Sequence, residues 1–420
     1  MNSPLLRLAF AASLFTASFT HAAGSDWPQW LGPKRDGHAA AGSLTLTKLP
    51  AAPAPVWRIN IGGGFSSPVV SGDTVVIMAG RGEEEVAFGL NAADGKERWS
   101  TPVSSLFADE WGPGPRATPV IDGDRVYVLS CSGEFRCLNL KDGKVVWGKS
   151  FEKDFGVAFL GSKAREGTAS RRGNNGSPVV DGDLVFVPAG NVAGATVVAL
   201  DNLTGKVAWK AGHEEAAYSA LQIATLGGHK QVVMFAADSL SGFDRATGKL
   251  LWSEPLKTNA KRHASTPVIL GDMVVVNSHT FGTVALRIEK AGAVCKSSRA
   301  WVNPEMKINL GTLVEVGGNL YGHGPAKNFV CLDSNTGKAR WTQPGFGKEV
   351  SSTVALDDKT LLVLTDLGEL VLIAADPAGY RELGRTQVCG KTWSTPAIAN
   401  GSVYVREGLT DGFKLSRWNF

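Results

Sequence analysis

Short apolar runs recur along this chain, too brief and too regularly interrupted for helices. Val75-Val76-Ile77, Val126-Tyr127-Val128, Val185-Phe186-Val187, Val274-Val275-Val276 and Val403-Tyr404-Val405 are strong strand formers. Most follow a Gly-Asp pair, and before that pair stands another apolar run opening on Ser67-Pro68, Thr118-Pro119, Ser177-Pro178, Thr266-Pro267 or Thr395-Pro396. The pattern predicts a strand, a tight turn and a second strand. Proline at the first strand position costs no ladder hydrogen bond. Weaker copies start at Ser219, Thr312 and Ser352, which makes eight hairpins spaced 40 to 59 residues apart.

A second pattern follows these hairpins. Residues 331–341 run from Cys331 through Asp333, Thr336 and Gly337 to Trp341, and residues 137–147, 199–209 and 242–252 repeat the arrangement, with 89–99 a close relative. Asp333 can bond backbone amides two residues on, and Gly337 suits a positive φ. Trp341 then starts the next strand, where its indole can wedge between neighbouring units. Each unit thus reads as strand A, turn, strand B, connection, strand C, Asp-x-x-Thr-Gly-Lys turn and strand D. Units five and seven lack a good turn motif: Trp301 ends a degraded one, and unit seven offers only Tyr380. Unit eight, from Trp393 to the end, is one strand short. A lone strand at 56–61, containing Trp57, would complete it and remove the open edges. The prediction is an all-β, eight-bladed β-propeller of four-stranded antiparallel blades, its ring closed by an N-terminal strand. Residues 1–22 then form a signal peptide, 23–55 an N-terminal arm and 56–420 the propeller.

Composition narrows the setting. Of 420 residues, 43% are hydrophobic and 20% charged, which suits a large core, and a net charge of +4 does not point to nucleic acid. Arg7, the apolar residues 8–19 and Thr20-His21-Ala22 resemble an export signal rather than a membrane anchor. The expectation is a soluble, monomeric periplasmic protein with no stable membrane insertion. The first cysteine is Cys131, so no lipid-anchor cysteine follows the signal. Cys131 and Cys137 flank one hairpin and are a candidate pair.

The connections that precede strand A vary in length, and those joining units one to two and two to three are the longest. Insertions gathered on one face mark it as the binding face. Residues just before strand A are often basic there: Arg116, Arg171, Arg172, Lys261, Arg262, His263, Lys307, Lys348 and Lys391. Cations converging on a channel mouth favour an anionic group. Arg116, Arg172 and Arg262 are the expected anion site, and an acidic peptide or a sugar acid would fit.

The Ala-x-Asp-x-x-Thr-Gly-x-x-x-Trp motif at 199–209, with its near copies, resembles the bacterial quinoprotein-like propellers built from pyrroloquinoline-quinone (PQQ) repeats. Residues 26–30 and 111–119 also look like exported bacterial members. That family includes dehydrogenases and non-catalytic scaffolds such as the outer-membrane assembly protein BamB. The resemblance implies two functions. The leading one is a non-catalytic binding or scaffold protein whose basic funnel meets a partner protein or an anionic small molecule. The alternative is a PQQ-dependent alcohol or sugar dehydrogenase with PQQ and Ca²⁺ as cofactors. For that chemistry Glu110 or Glu166 would be the base, Asn174 and Asn175 metal ligands, and Trp111 or Trp393 the stacking partner. The chain lacks the adjacent cysteine pair that many such enzymes carry. His279 and His323, in neighbouring units, are a weak metal signal.

Overall fold

The computed structural model describes residues 25–159, 161, 169–190 and 194–420; the expected signal peptide and Glu166 lie outside them. Eight four-stranded antiparallel sheets follow one another along the chain. In blade 1 the strands are A (Val69–Ser71), B (Thr74–Arg81), C (Glu84–Asn91) and D (Glu97–Ser105). Blades 2 to 7 repeat the order. Strands B and C are buried on both faces, because each sheet is sandwiched between its neighbours, and so read as continuous apolar runs. Strand D lies outermost and is half exposed, as at Val145–Ser150 of blade 2.

Blade 8 is assembled from both ends of the chain. Its A, B and C strands are Ala397–Ala399, Ser402–Glu407 and Lys414–Trp418, and its D strand is Trp57–Asn60, with Trp57 opposite Arg417. The buried Arg406 fastens this blade to blade 1 by donating to the carbonyls of Met78 (2.7 Å), Gly62 (2.8 Å) and Ser66 (3.1 Å). The Ser/Thr-Pro pairs do more than start strands. Their hydroxyls, and that of Thr312 at the proline-free copy in blade 6, accept the backbone N–H of the preceding blade's equivalent residue: Ser67 to Thr118 (3.2 Å), Thr118 to Ser177 (3.0 Å), Thr266 to Thr312 (3.1 Å) and, across the seam, Thr395 to Ser67 (2.9 Å).

The strand-D tryptophans form an outer belt. Trp57, Trp99, Trp147, Trp209, Trp301 and Trp341 donate Nε1–H to Ala92, Leu140, Asn202, Arg245, Ser334 and Asp376, each a carbonyl in the next blade's C–D turn, at 2.8–3.1 Å. Two blades depart from this pattern. Blade 5 replaces the turn motif with a long hairpin, Gly282–Ala291 and Val294–Asn303, and Trp252 of blade 4 instead bonds Gln231 within its own blade (2.6 Å). In blade 7 the register puts Gly384, not Tyr380, at the tryptophan position. Blade 8 has no C–D turn to receive an indole, since its D strand comes from the other end of the chain. Leu49 of the arm packs over Gly384 instead.

The arm also fills the middle of the ring. Asp26 accepts from Gly72 N–H and Ser71 Oγ–H, and Trp27 and Val70 exchange backbone hydrogen bonds. Further along, Pro28 accepts from Ile121, Trp30 Nε1–H donates to Thr266, and Ala355 pairs with Gly37 and Ala39. Arg35, only 3% exposed, donates to the carbonyls of Pro178 (2.9 Å) and Leu221 (3.1 Å) and to Gln29 (3.2 Å). Burial draws its pKa down to about 9, still above neutrality, and these oxygens solvate the cation. The segment therefore crosses the A–B turn end of the channel and ties together blades 1, 2, 3, 4, 5 and 7. All five cysteines are buried and unpaired. Cys131 does not reach Cys137: its thiol lies against the Gly114 carbonyl, whereas Cys137 sits inside strand C opposite Trp147. Among the described residues no helix is long and apolar enough to cross a membrane.

Candidate functional site

Strand A is innermost, so the residues leading into it face the axis. With the A–B turn end sealed, they enclose a blind funnel of about 230 Å³. Trp30 and Leu31 of the arm line its closed end. Its walls take Phe65 from blade 1, Arg116 from blade 2, Arg172 from blade 3, Tyr218 from blade 4, Arg262 from blade 5 and Trp393 from blade 8. Trp111, in the long connection between blades 1 and 2, stands at the mouth, 43% exposed and 5.3 Å from the Trp393 ring, which in turn is 5.9 Å from Phe65.

The structure brings the three arginines of the expected anion site to this one cavity, in different states. Arg116 grips Asp109 with both Nη atoms, at 2.8 and 3.0 Å, and the two side chains are 7% and 4% exposed. Its guanidinium also lies 5.1 Å from the Phe65 and Phe107 ring centres. Arg172 is paired with Glu110 and lies 3.4 Å from Asp109. That hydrogen bond holds the Glu110 carboxyl down at about 2, so the carboxylate is a poor proton acceptor near neutral pH. Arg262 has no ion-pair or hydrogen-bond partner among the described residues, and its Nε is buried. Burial raises the Tyr218 hydroxyl to about 12, and the charges of Arg172, Arg262 and Arg116 all act on it in the opposite sense. All three charges are therefore felt at one point of the wall.

The other expected ligand-binding residues do not line the cavity. His263 is 1% exposed, stacked at 4.0 Å on Phe235 with Nδ1 2.7 Å from the Ala236 carbonyl, and burial lowers its pKa to about 4. It is a neutral core residue. Lys261 is paired with Asp238 at 3.1 Å. Asn174 spends both its backbone N–H and its Nδ2 on the Cys131 carbonyl. Lys391 is exposed, and its carbonyl accepts from Gly408. Of the expected metal ligands, Asn175 lines the funnel, but its amide donates to the Gly173 carbonyl at 2.7 Å. His323 is buried against Ser351 and His279 lies in the neighbouring blade; among the described residues no three His, Cys, Asp or Glu side chains gather to hold a metal ion.

Sequence reasoning missed Trp30, Leu31, Phe65, Tyr218, Asn309 and Thr353. Asn309 lies in the connection that leads into strand A of blade 6, as the arginines do in their own blades, though at a different distance from the strand. Trp30 gives no such signal, because it reaches the funnel across 236 residues. Four polar atoms on the lining residues are buried without a hydrogen-bond partner: Arg116 Nε, Arg262 Nε, Asn309 Oδ1 and Thr353 Oγ1. Buried polar atoms are rarely left unpaired, and these four leave hydrogen-bonding capacity unmet around the cavity.

A sequence profile described as "Outer membrane protein assembly factor BamB" matches residues 45–147, 90–343 and 326–417. No curated protein matches the sequence. Among solved structures, BamB from Moraxella catarrhalis superposes with a TM-score of 0.61 at 13% identity, covering 88% of this chain and 100% of that one. The quinohemoprotein alcohol dehydrogenase of Pseudomonas putida HK5 gives 0.58 at 12% identity over 94% and 80% of the two chains, and a europium-containing methanol dehydrogenase 0.53 at 11% over 94% and 98%. At such identities the structural likenesses establish the shared propeller. The profile match, which runs from the arm almost to the last residue, places this chain in the PQQ-repeat β-propeller family described as outer membrane protein assembly factor BamB.

Proposed function

We propose that this protein is an exported, periplasmic, non-catalytic binding propeller that works through the open end of its blind funnel, holding a partner protein or an anionic small molecule. The convergence of three arginines, five aromatic side chains and unpartnered polar atoms on one closed-ended cavity carries this reading. A sealed floor favours holding a ligand over passing it through. The family's description supports a protein partner in outer-membrane assembly. A photo-crosslinking residue at Trp111, at the mouth, is expected to capture a specific partner in cells, whereas one at Leu203, on the opposite turns, is not. Equal capture from both positions would remove the funnel as the working surface.

The second reading, a PQQ-dependent alcohol or sugar dehydrogenase, draws on the fold shared with the Pseudomonas enzyme. The donor set here does not fit a Ca²⁺-supported quinone. Asp109 and Glu110 are engaged by Arg116 and Arg172, and no three His, Cys, Asp or Glu side chains gather into a ligand cluster among the described residues. Reconstitution with PQQ and Ca²⁺ is expected to give neither quinone absorbance nor reduction of an artificial electron acceptor. Turnover would favour the enzyme.

A further inference from the structure

The charge balance of the funnel limits what it can hold. Arg116 and Arg172 are matched by Asp109 and Glu110, and the exposed Glu349, which also lines the funnel, has no ion-pair partner among the described residues. Of the lining cations, what remains is the single guanidinium of Arg262. One carboxylate would satisfy it; a multiply charged anion would have to displace the internal pairs.

The unpartnered atoms add a second requirement. Arg262 Nε is a donor, Asn309 Oδ1 an acceptor, and the Thr353 hydroxyl, in a residue 3% exposed, can be either. They belong to blades 5, 6 and 7. In a ring of eight, blade 5 stands opposite blade 1, so Arg262 faces the side formed by Phe65, Trp111 and Trp393 across the funnel. A ligand that fits therefore carries a carboxylate, an N–H or O–H donor beside it, and a flat apolar body within reach of both. Size agrees: a cavity of about 150 Å³ holds a benzene molecule, and about 230 Å³ leaves room for a ring with a short polar head.

We propose that the funnel binds an N-acylated aromatic amino acid with a free carboxylate, its carboxylate on Arg262, its amide N–H on Asn309 and its ring against Trp393 and Trp111. This chemistry occurs in free N-acyl amino acids and at the carboxyl end of a polypeptide. The inference rests on the binding role proposed above and narrows it to one ligand class.

Titration of the protein with N-acetyl-L-phenylalanine, followed by tryptophan fluorescence and calorimetry, tests it. The acid is expected to bind, with its amide, N-acetyl-L-phenylalaninamide, at least tenfold weaker. Arg262→Gln is expected to lose at least tenfold in affinity for the acid and little for the amide, and Asn309→Leu to weaken both. Should Arg262→Gln not fold, the salt dependence of the wild-type protein serves instead, with acid binding falling as ionic strength rises and amide binding not. A hexapeptide ending in phenylalanine with a free carboxylate separates the sources: tighter binding than N-acetyl-L-phenylalanine identifies a chain end, equal binding a small acid. Equal affinity for acid and amide, or an Arg262→Gln variant that binds the acid as well as wild type, overturns the proposal. If the acid fails to bind while crosslinking from position 111 persists, the ligand class falls and the binding role stands. Loss of both removes the role itself.

Discussion

Glu85 is fully buried between blades 1 and 2, where its Oε2 accepts the Cys131 amide at 2.9 Å. Burial pushes the carboxyl's pKa up, and the Cys131 amide and the Arg116 charge offset this only in part. A carboxyl whose folded pKa lies above its unfolded value, about 4.3, takes up a proton on folding. Its penalty is absent below the unfolded value and grows as pH rises through the folded one. Glu85→Gln keeps an acceptor for the amide and discards the charge. It is expected to raise the thermal midpoint at pH 8 and leave it unchanged at pH 4; equal shifts at both pH values would show a packing effect instead. A second residue, Gly337, holds a φ of 68° under the Trp301 ring, whose nearest carbon lies 2.3 Å from where a Cβ would sit. Gly337→Ala therefore combines backbone strain with overpacking and is expected to cost about 1–3 kcal/mol. Trp301→Phe loses both the bond to Ser334 and part of the ring over Gly337, and the bond alone should cost about 1 kcal/mol. Denaturant titration distinguishes the two.

Among the elements, the arm between Asp26 and Ala39 is the least regular and the most widely bonded. Arg35→Ala would leave the Pro178 and Leu221 carbonyls without their donor, and a loss of about 3 kcal/mol is expected. Hydrogen exchange at Val70 and Ala355, whose amides bond to the arm, should accelerate in that variant, while amides in the central strands of the blades keep their protection. None of this was legible in the sequence. The hairpins were, because each repeats a local pattern of strand former, turn and tryptophan. The arm's contacts span 143 residues from Arg35 to Pro178 and 236 from Trp30 to Thr266, and they follow no period. The mouth was legible in position but not in state. Lys261, Arg262 and His263 are consecutive, yet one is paired, one is free and one is core, because successive side chains point in different directions and only the loop's folded path decides which faces the axis.

For the molecule as a whole, the bond between its two ends decides whether the sheet edges are covered. Removing residues 25–61 would strip blade 8 of Trp57–Asn60 and leave Lys414–Trp418 as an open edge, besides unsealing the channel. Such a variant is expected to self-associate and to elute from size-exclusion chromatography as a larger species than the intact protein. A monomeric truncation would mean that the edge is protected some other way.

The seam also sets an order of events in time. Trp57 is made hundreds of residues before Arg417, its partner in the finished ring, so its strand must wait, unsatisfied, until Arg417 has emerged. Blades 1 to 7 can assemble as they emerge, each from contiguous chain; blade 8 cannot. A fluorescent donor and acceptor at positions 56 and 417 should accordingly approach one another only after the rest has taken shape, and a disulfide across that junction should slow escape from the native state more than it hastens arrival.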